Sequence, residues 1–193
     1  MNITADIEFI TPLFSRGMTE EPEIRPASIR GQLHWWFRAL GGKWEDECAV
    51  FGKIGGKREK TFSSPLVVRV SDIQGNTGQK ATLPHKKDEG RGRDAPKSCY
   101  LPGTRCTVHF LLRRSLPEDA KARLRRCIET WLLVGSLGLR STRGAGAFVW
   151  RNNGDTSQTA YLRKVADLTQ NARVKIAPLP HFSDEPDPTA EDL

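Results

Sequence analysis

The chain has 193 residues, 37% of them hydrophobic and 27% charged, with 30 Lys and Arg against 23 Asp and Glu for a net charge of +7. That apolar fraction suffices for a packed core and excludes wholesale disorder, and no apolar run approaches the ~20 residues of a membrane span. Cys48, Cys99, Cys106 and Cys127 are too few and too scattered for a disulfide framework, which points to reduced thiols in a cytoplasmic protein. The opening MNITADIEF lacks the charged-then-apolar pattern of a secretory signal, and no membrane partner is expected.

Residues 3–10, ITADIEFI, alternate apolar and polar side chains and predict a half-buried strand, ended by Pro12. After an acid-rich loop, SIRGQLHWWFRALGG carries helix punctuation, with Ser28 as the N-terminal cap and Gly41-Gly42 as the stop. Ile29, Leu33, Trp36, Phe37 and Leu40 make one apolar face, and Arg30, His34 and Arg38 a neighbouring stripe. Gly31 inside this helix costs up to about 1 kcal/mol against Ala, which suggests close packing of the backbone. Trp35 and Trp36 point about 100° apart, so one enters the core and the other meets a loop or another subunit.

Residues 45–52 continue as a short helical turn, followed by a basic, glycine-rich loop. LVVRV, residues 66–70, predicts a strand from its β-branched content. From Ser71 to Ser98 no regular structure is expected, and the segment reads as a long, flexible basic loop. TRCTVHFLL, residues 104–112, resumes as a strand. A second helix is capped at Ser115 or Leu116 ahead of Pro117 and ends at Gly135 and Gly138, with Ala120, Leu124, Cys127, Ile128 and Trp131 on its buried face. A glycine loop then runs into a strand over residues 146–151, with further short strands near Tyr161–Val165 and Arg173–Ile176. Strand, helix, strand, strand, helix, strand is the α+β, ferredoxin-like arrangement that RNA-recognition domains also use. Residues 1–180 are expected to form that single domain, and the acidic tail 181–193 to be disordered.

Charge singles out the class of partner. The tail from His181 to Leu193 holds five acids and no Lys or Arg, so residues 1–180 carry 30 basic against 18 acidic residues. A domain with that excess is suited to a polyanion, and nucleic acid ranks above a merely soluble basic surface. In Gly138–Gly146, the glycines Gly138, Gly144 and Gly146 can bring backbone amides to a phosphate, while Arg140 and Arg143 add bidentate donors and Ser141 and Thr142 hydroxyls. RGAGAFVW, residues 143–150, partly resembles the RNA-contact motif of RNA-recognition domains. It has Ala145 and Ala147 where that motif carries aromatics, so base stacking of that kind is not supported. The Arg30, His34 and Arg38 stripe suits an RNA backbone, as do Lys86, Lys87, Arg91 and Arg93 of the long loop.

Catalysis has weaker support. His34 has the pKa for acid–base chemistry, but no second histidine or carboxylate stands near it in sequence. His85 in the long loop is the other candidate base, and Asp88 and Asp94 are the attractive carboxylates for a metal-dependent variant. His85, Cys99, Cys106 and His109 lack any CxxC or usual zinc spacing, so no metal and no cofactor are expected.

Two motifs together carry a family resemblance. TPLF (Thr11–Phe14), IRPASIRGQLHWWFRAL (Ile24–Leu40) and AVFG (Ala49–Gly52) resemble the opening of Cmr-type RAMP proteins, in particular the first-subunit family of the Cmr complex. GLRSTRGAGAF (Gly138–Phe148) is similar to the RAMP glycine-rich loop. The resemblance implies a ferredoxin-like RNA-binding domain and a non-catalytic subunit of a type III CRISPR RNA-guided effector complex in antiviral defence. It also implies that crRNA or target RNA lies along a basic face and that other RAMP subunits pack alongside. By motif match, Arg25, Ser28, Arg30, Gly31 and Arg38 belong to the helix-start element, and Gly138, Arg140, Arg143, Gly144 and Gly146 to the glycine loop. Such proteins commonly carry two of these domains, and this chain has room for one. The alternatives are a RAMP-type, metal-independent endoribonuclease using His34 or His85, and a partner-binding module using Trp35-Trp36 and the tail.

Overall fold

The computed structural model describes residues 1–56, 60–82, 96–154 and 157–173. His85, Lys86, Lys87, Asp88, Arg91, Arg93 and Asp94, the strand expected beyond Arg173 and the acidic tail therefore lie outside the described residues.

Strict alternation builds the sheet. In β1 (Asn2–Phe9), Ala5, Ile7 and Phe9 are buried and point to one face; in β5 (Arg105–Leu112), Cys106, Val108 and Phe110 do the same. These strands pair antiparallel from Asn2 against Leu111 to Glu8 against Arg105. β2 (Leu66–Gln74) flanks β5 and β6 (Phe148–Trp150) flanks β1, so the order is β2-β5-β1-β6 with every pairing antiparallel. Helices α1 (Pro26–Ala39) and α3 (Glu118–Val134) cover the apolar face, while α2 (Trp44–Phe51) packs beside them.

The core sits between sheet and helices. Trp131 of α3 lies edge-on to Phe110, with ring centroids 6.1 Å apart, and 4.9 Å from Phe148. Full burial of each such side chain stabilises by roughly 1.5–3 kcal/mol. The Cys127 thiol donates to the Leu33 carbonyl at 3.1 Å, tying α3 to α1. The other sheet face is polar: Thr107 donates to Asp6 at 2.8 Å, and Arg105 and Arg151 both clasp Glu8. Among the described residues no helix is long and apolar enough to cross a membrane.

Several expectations are corrected. α1 starts at Pro26 with Arg25 in the cap position, so Ser28 lies inside the first turn and caps nothing. The fixed φ of proline organises that start without a side-chain acceptor. Pro117 itself caps α3, in place of Ser115 or Leu116. The span 71–98 is not devoid of regular structure: β2 runs on to Gln74, and β3 (Thr77–Lys80) pairs with β4 (Lys97–Tyr100) as a second sheet. Tyr161–Val165 belongs to a helix, α4 (Gln158–Thr169), capped by Ser157 accepting from the Ala160 amide at 3.3 Å. Tyr161, Val165 and Leu168 have helical spacing, which a strand reading of the same apolar residues overlooks. Finally, a Cβ added at Gly31 would meet nothing within 4 Å, so no close packing among the described residues requires that glycine. Trp36 is buried and Trp35 exposed, in keeping with their divergence.

Candidate nucleic-acid interface

The segment after β1 and the glycine loop are stitched together. Thr11 Oγ1 donates to the Gly144 carbonyl at 2.7 Å and accepts from the Ala147 amide at 2.9 Å. The Gly146 amide reaches the Pro12 carbonyl at 2.9 Å, and the Leu139 amide the Phe14 carbonyl at 2.8 Å. Gly146 adopts φ 64°, and a Cβ there would collide with the Leu137 carbonyl oxygen. The glycine is required by this close crossing of two chain segments.

That stitching redirects the expected phosphate chemistry. The amides of Leu139, Arg143, Gly144, Ala145, Gly146 and Ala147 are all satisfied within the chain, so the loop presents side chains more than a cradle of free N–H groups. Residues 141–143 form a 3-10 turn, and Arg140 before it holds the left-handed conformation at φ 64°. This places the Arg140 and Arg143 guanidinium groups outside any ion pair or hydrogen bond with the described residues, with Thr142 and Gly144 exposed beside them.

A cleft of about 580 Å³ opens next to this loop. Ser28, Gly31 and Gln32 of α1 form one wall, and residues 14–16 and 137–139 with Lys97 and Ser98 of β4 complete the lining. Among the described residues no carboxylate lines it. Lys97 has no ion-pair partner among the described residues, whereas Arg16 at the rim pairs with Glu20. The cleft therefore joins Ser28 and Gly138, both singled out from sequence, to Arg16, Gln32, Lys97 and Ser98, which sequence reasoning missed. Lys97 stood at the end of a segment without visible periodicity, and its pairing with Lys80 supplies its place.

The helical stripe goes elsewhere. Arg30 donates to the Phe51 carbonyl. Arg38 binds Glu47 through Nε at 2.8 Å, and His34 Nδ1 lies 3.2 Å from the same Oε1. The Glu47 side chain is only 5% exposed; it pairs with Arg38, contacts His34 and so clamps α1 to α2. Burial holds His34 below its ordinary pKa, outweighing the upward pull of Glu47. The Glu47 hydrogen bond raises Arg38. The carboxylate absent from the sequence neighbourhood of His34 is thus supplied by the next helix. Arg25 is exposed, 4.0 Å from Glu23.

Cys99, Cys106 and Cys127 are buried free thiols, and burial pushes Cys106 up to about 12. His109 is hydrogen-bonded to Ser71 on the polar sheet face, at 2.9 Å. Among the described residues no three His, Cys, Asp or Glu side chains group as a metal site.

The family model described as the RAMP superfamily matches residues 6–149, the span that carries both stitched segments and the cleft. The chain belongs to the RAMP superfamily. It is similar to the CRISPR system Cmr subunit Cmr1-1 of Pyrococcus furiosus, 29% identical over 142 residues, covering 66% of this chain and 40% of that protein. Its fold is similar to the crystal structure of Cmr1 from Pyrococcus furiosus in its apo form, with a TM-score of 0.55 at 24% identity over 88% of this chain and 59% of that one. It is also similar to a chain of the type III-B Cmr-beta complex bound to cognate target RNA, with a TM-score of 0.50 at 15% identity over 78% and 58% of the two chains. This RAMP chain thus spans about two fifths of the Cmr1-1 subunit and under two thirds of the Cmr1 crystal structure.

Proposed function

We propose that this protein is a non-catalytic RNA-binding subunit of a type III CRISPR effector complex, holding crRNA or target RNA by its backbone in antiviral defence. The observation that carries the reading is a cleft lined by Lys97 and, among the described residues, by no carboxylate, beside a glycine loop whose Arg140 and Arg143 have no partners among the described residues. The order β2-β5-β1-β6 supports a ferredoxin-like arrangement, with residues 1–180 as one RAMP domain. Other RAMP subunits pack beside it in a cytoplasmic ribonucleoprotein. Exposed Arg25 and Thr142 and half-buried Ser141 of the motif elements line the same RNA path, and the basic loop residues Lys86, Lys87, Arg91 and Arg93 add to it.

Binding of the full chain to a fluorescent single-stranded RNA over a salt series tests this. Strong, salt-dependent binding with weak sequence preference is expected. Absence of binding, alone and with neighbouring subunits, overturns it.

One observation favours the endoribonuclease alternative, the His34–Glu47 contact, which is a histidine oriented by a carboxylate. Metal-free RNA cleavage that disappears in His34→Ala establishes that reading; cleavage that survives both His34→Ala and His85→Ala eliminates it.

A further inference from the structure

Resting on the RNA-cleft reading, we propose that Trp35 is the stacking platform for one base of a single strand whose backbone crosses Gly31. Trp35 is 55% exposed, while its neighbour Trp36 is 9% exposed and props it edge-on, with centroids 4.9 Å apart and planes at 89°. No other ring touches the Trp35 indole among the described residues. Trp35 follows Ser28, Gly31 and Gln32 by seven, four and three residues, which places it on the helix face that lines the cleft.

Gly31 makes the platform usable. A long helical side chain leans back over the preceding turn, which for Trp35 is the turn that carries Gly31. A Cβ added at Gly31 would meet nothing within 4 Å, the indole included, so the ledge between glycine and ring is open. A glycine inside a helix loses stability against alanine, and nothing among the described residues requires this one. Its use is to let a ligand backbone lie against the helix. The surroundings select the ligand: Lys97 lines the cleft, the glycine loop beside it carries Arg140 and Arg143, and among the described residues no Asp or Glu lines it. A polyanion with flat, apolar faces satisfies both the cations and the indole, which is the chemistry of single-stranded RNA. The aromatics missing from residues 145 and 147 thus have a substitute on another element.

The test uses the full chain and single-stranded RNA carrying 2-aminopurine. Wild-type binding should quench the 2-aminopurine. Trp35→Ala should bind roughly ten- to a hundredfold more weakly, with no quenching and an unchanged salt slope. Trp35→Phe should recover most of the affinity, and an abasic oligonucleotide should narrow the gap between wild type and Trp35→Ala. Gly31→Ala should unfold at a higher temperature than wild type yet bind RNA more weakly, opposite signs that a structural role cannot produce. Equal affinity and quenching for wild type and Trp35→Ala, with salt dependence intact, overturns the platform and leaves the cleft standing. Intact RNA binding by Trp35→Ala with lost retention of neighbouring subunits makes Trp35 a protein contact and overturns it too. A wild type that binds no RNA removes the functional reading and this inference together.

Discussion

If Lys97, Arg140 and Arg143 each neutralise one phosphate, replacing the last two should change the salt dependence of binding by a calculable amount. The best perturbation is the double variant Arg140→Gly and Arg143→Ala. Arg140 sits at φ 64°, where an L side chain costs about 1–2 kcal/mol, so glycine there removes charge without threatening the fold. Arg143 is exposed on the 3-10 turn. Each single-strand phosphate contact contributes about −0.7 to the slope of log K against log salt, so three contacts give about −2.1 and one about −0.7. Raising salt from about 50 to about 200 mM should then weaken wild-type binding by roughly twentyfold and the double variant by roughly threefold. Fluorescence anisotropy over the salt series measures both slopes. Contacts elsewhere shift both lines equally, so the difference of about 1.4 is the decisive quantity. Equal slopes, in a variant whose unfolding midpoint is unchanged or raised, would refute the placement of RNA at this loop.

Gly146→Ala should lose about 1–3 kcal/mol in denaturant unfolding, because the added Cβ strikes the Leu137 carbonyl, whereas Gly144→Ala meets open space and should lose only its left-handed strain. The folded pKa of His34 is held below 6.5 by burial, so the unfolded chain takes up this proton first and stability falls as pH drops through that range. His34→Gln should flatten the stability profile between about pH 7 and pH 5, and a profile as steep as wild type would contradict the assignment. Of the four thiols, half-buried Cys48 should react with an alkylating reagent in the native protein, while Cys99, Cys106 and Cys127 react only on unfolding; mass spectrometry of labelled peptides reads this directly.

The amino-acid sequence by itself determined the parts whose signals are local. The alternation in β1 and β5, the apolar faces of α1 and α3 and the left-handed glycines of the loop are each written within a dozen residues, because side-chain periodicity and backbone sterics act at that range. Tertiary structure decided what opposes each remaining face. Arg30, His34 and Arg38 read as an open cationic stripe until α2 folds back and brings Glu47 to His34 and Arg38 and the Phe51 carbonyl to Arg30. Thr77–Lys80 and Lys97–Tyr100 have little β propensity and become strands by pairing with each other across the intervening chain. That pairing carries Lys97 to the wall formed by Ser28, Gly31 and Gln32, and so makes the cleft. Gly31 and Trp35 show the same limit: sequence marks a glycine that costs helix stability and a tryptophan that cannot enter the core. Only the packed chain shows that none of the described residues fills the space beside Gly31, because burial depends on contacts between segments far apart in sequence.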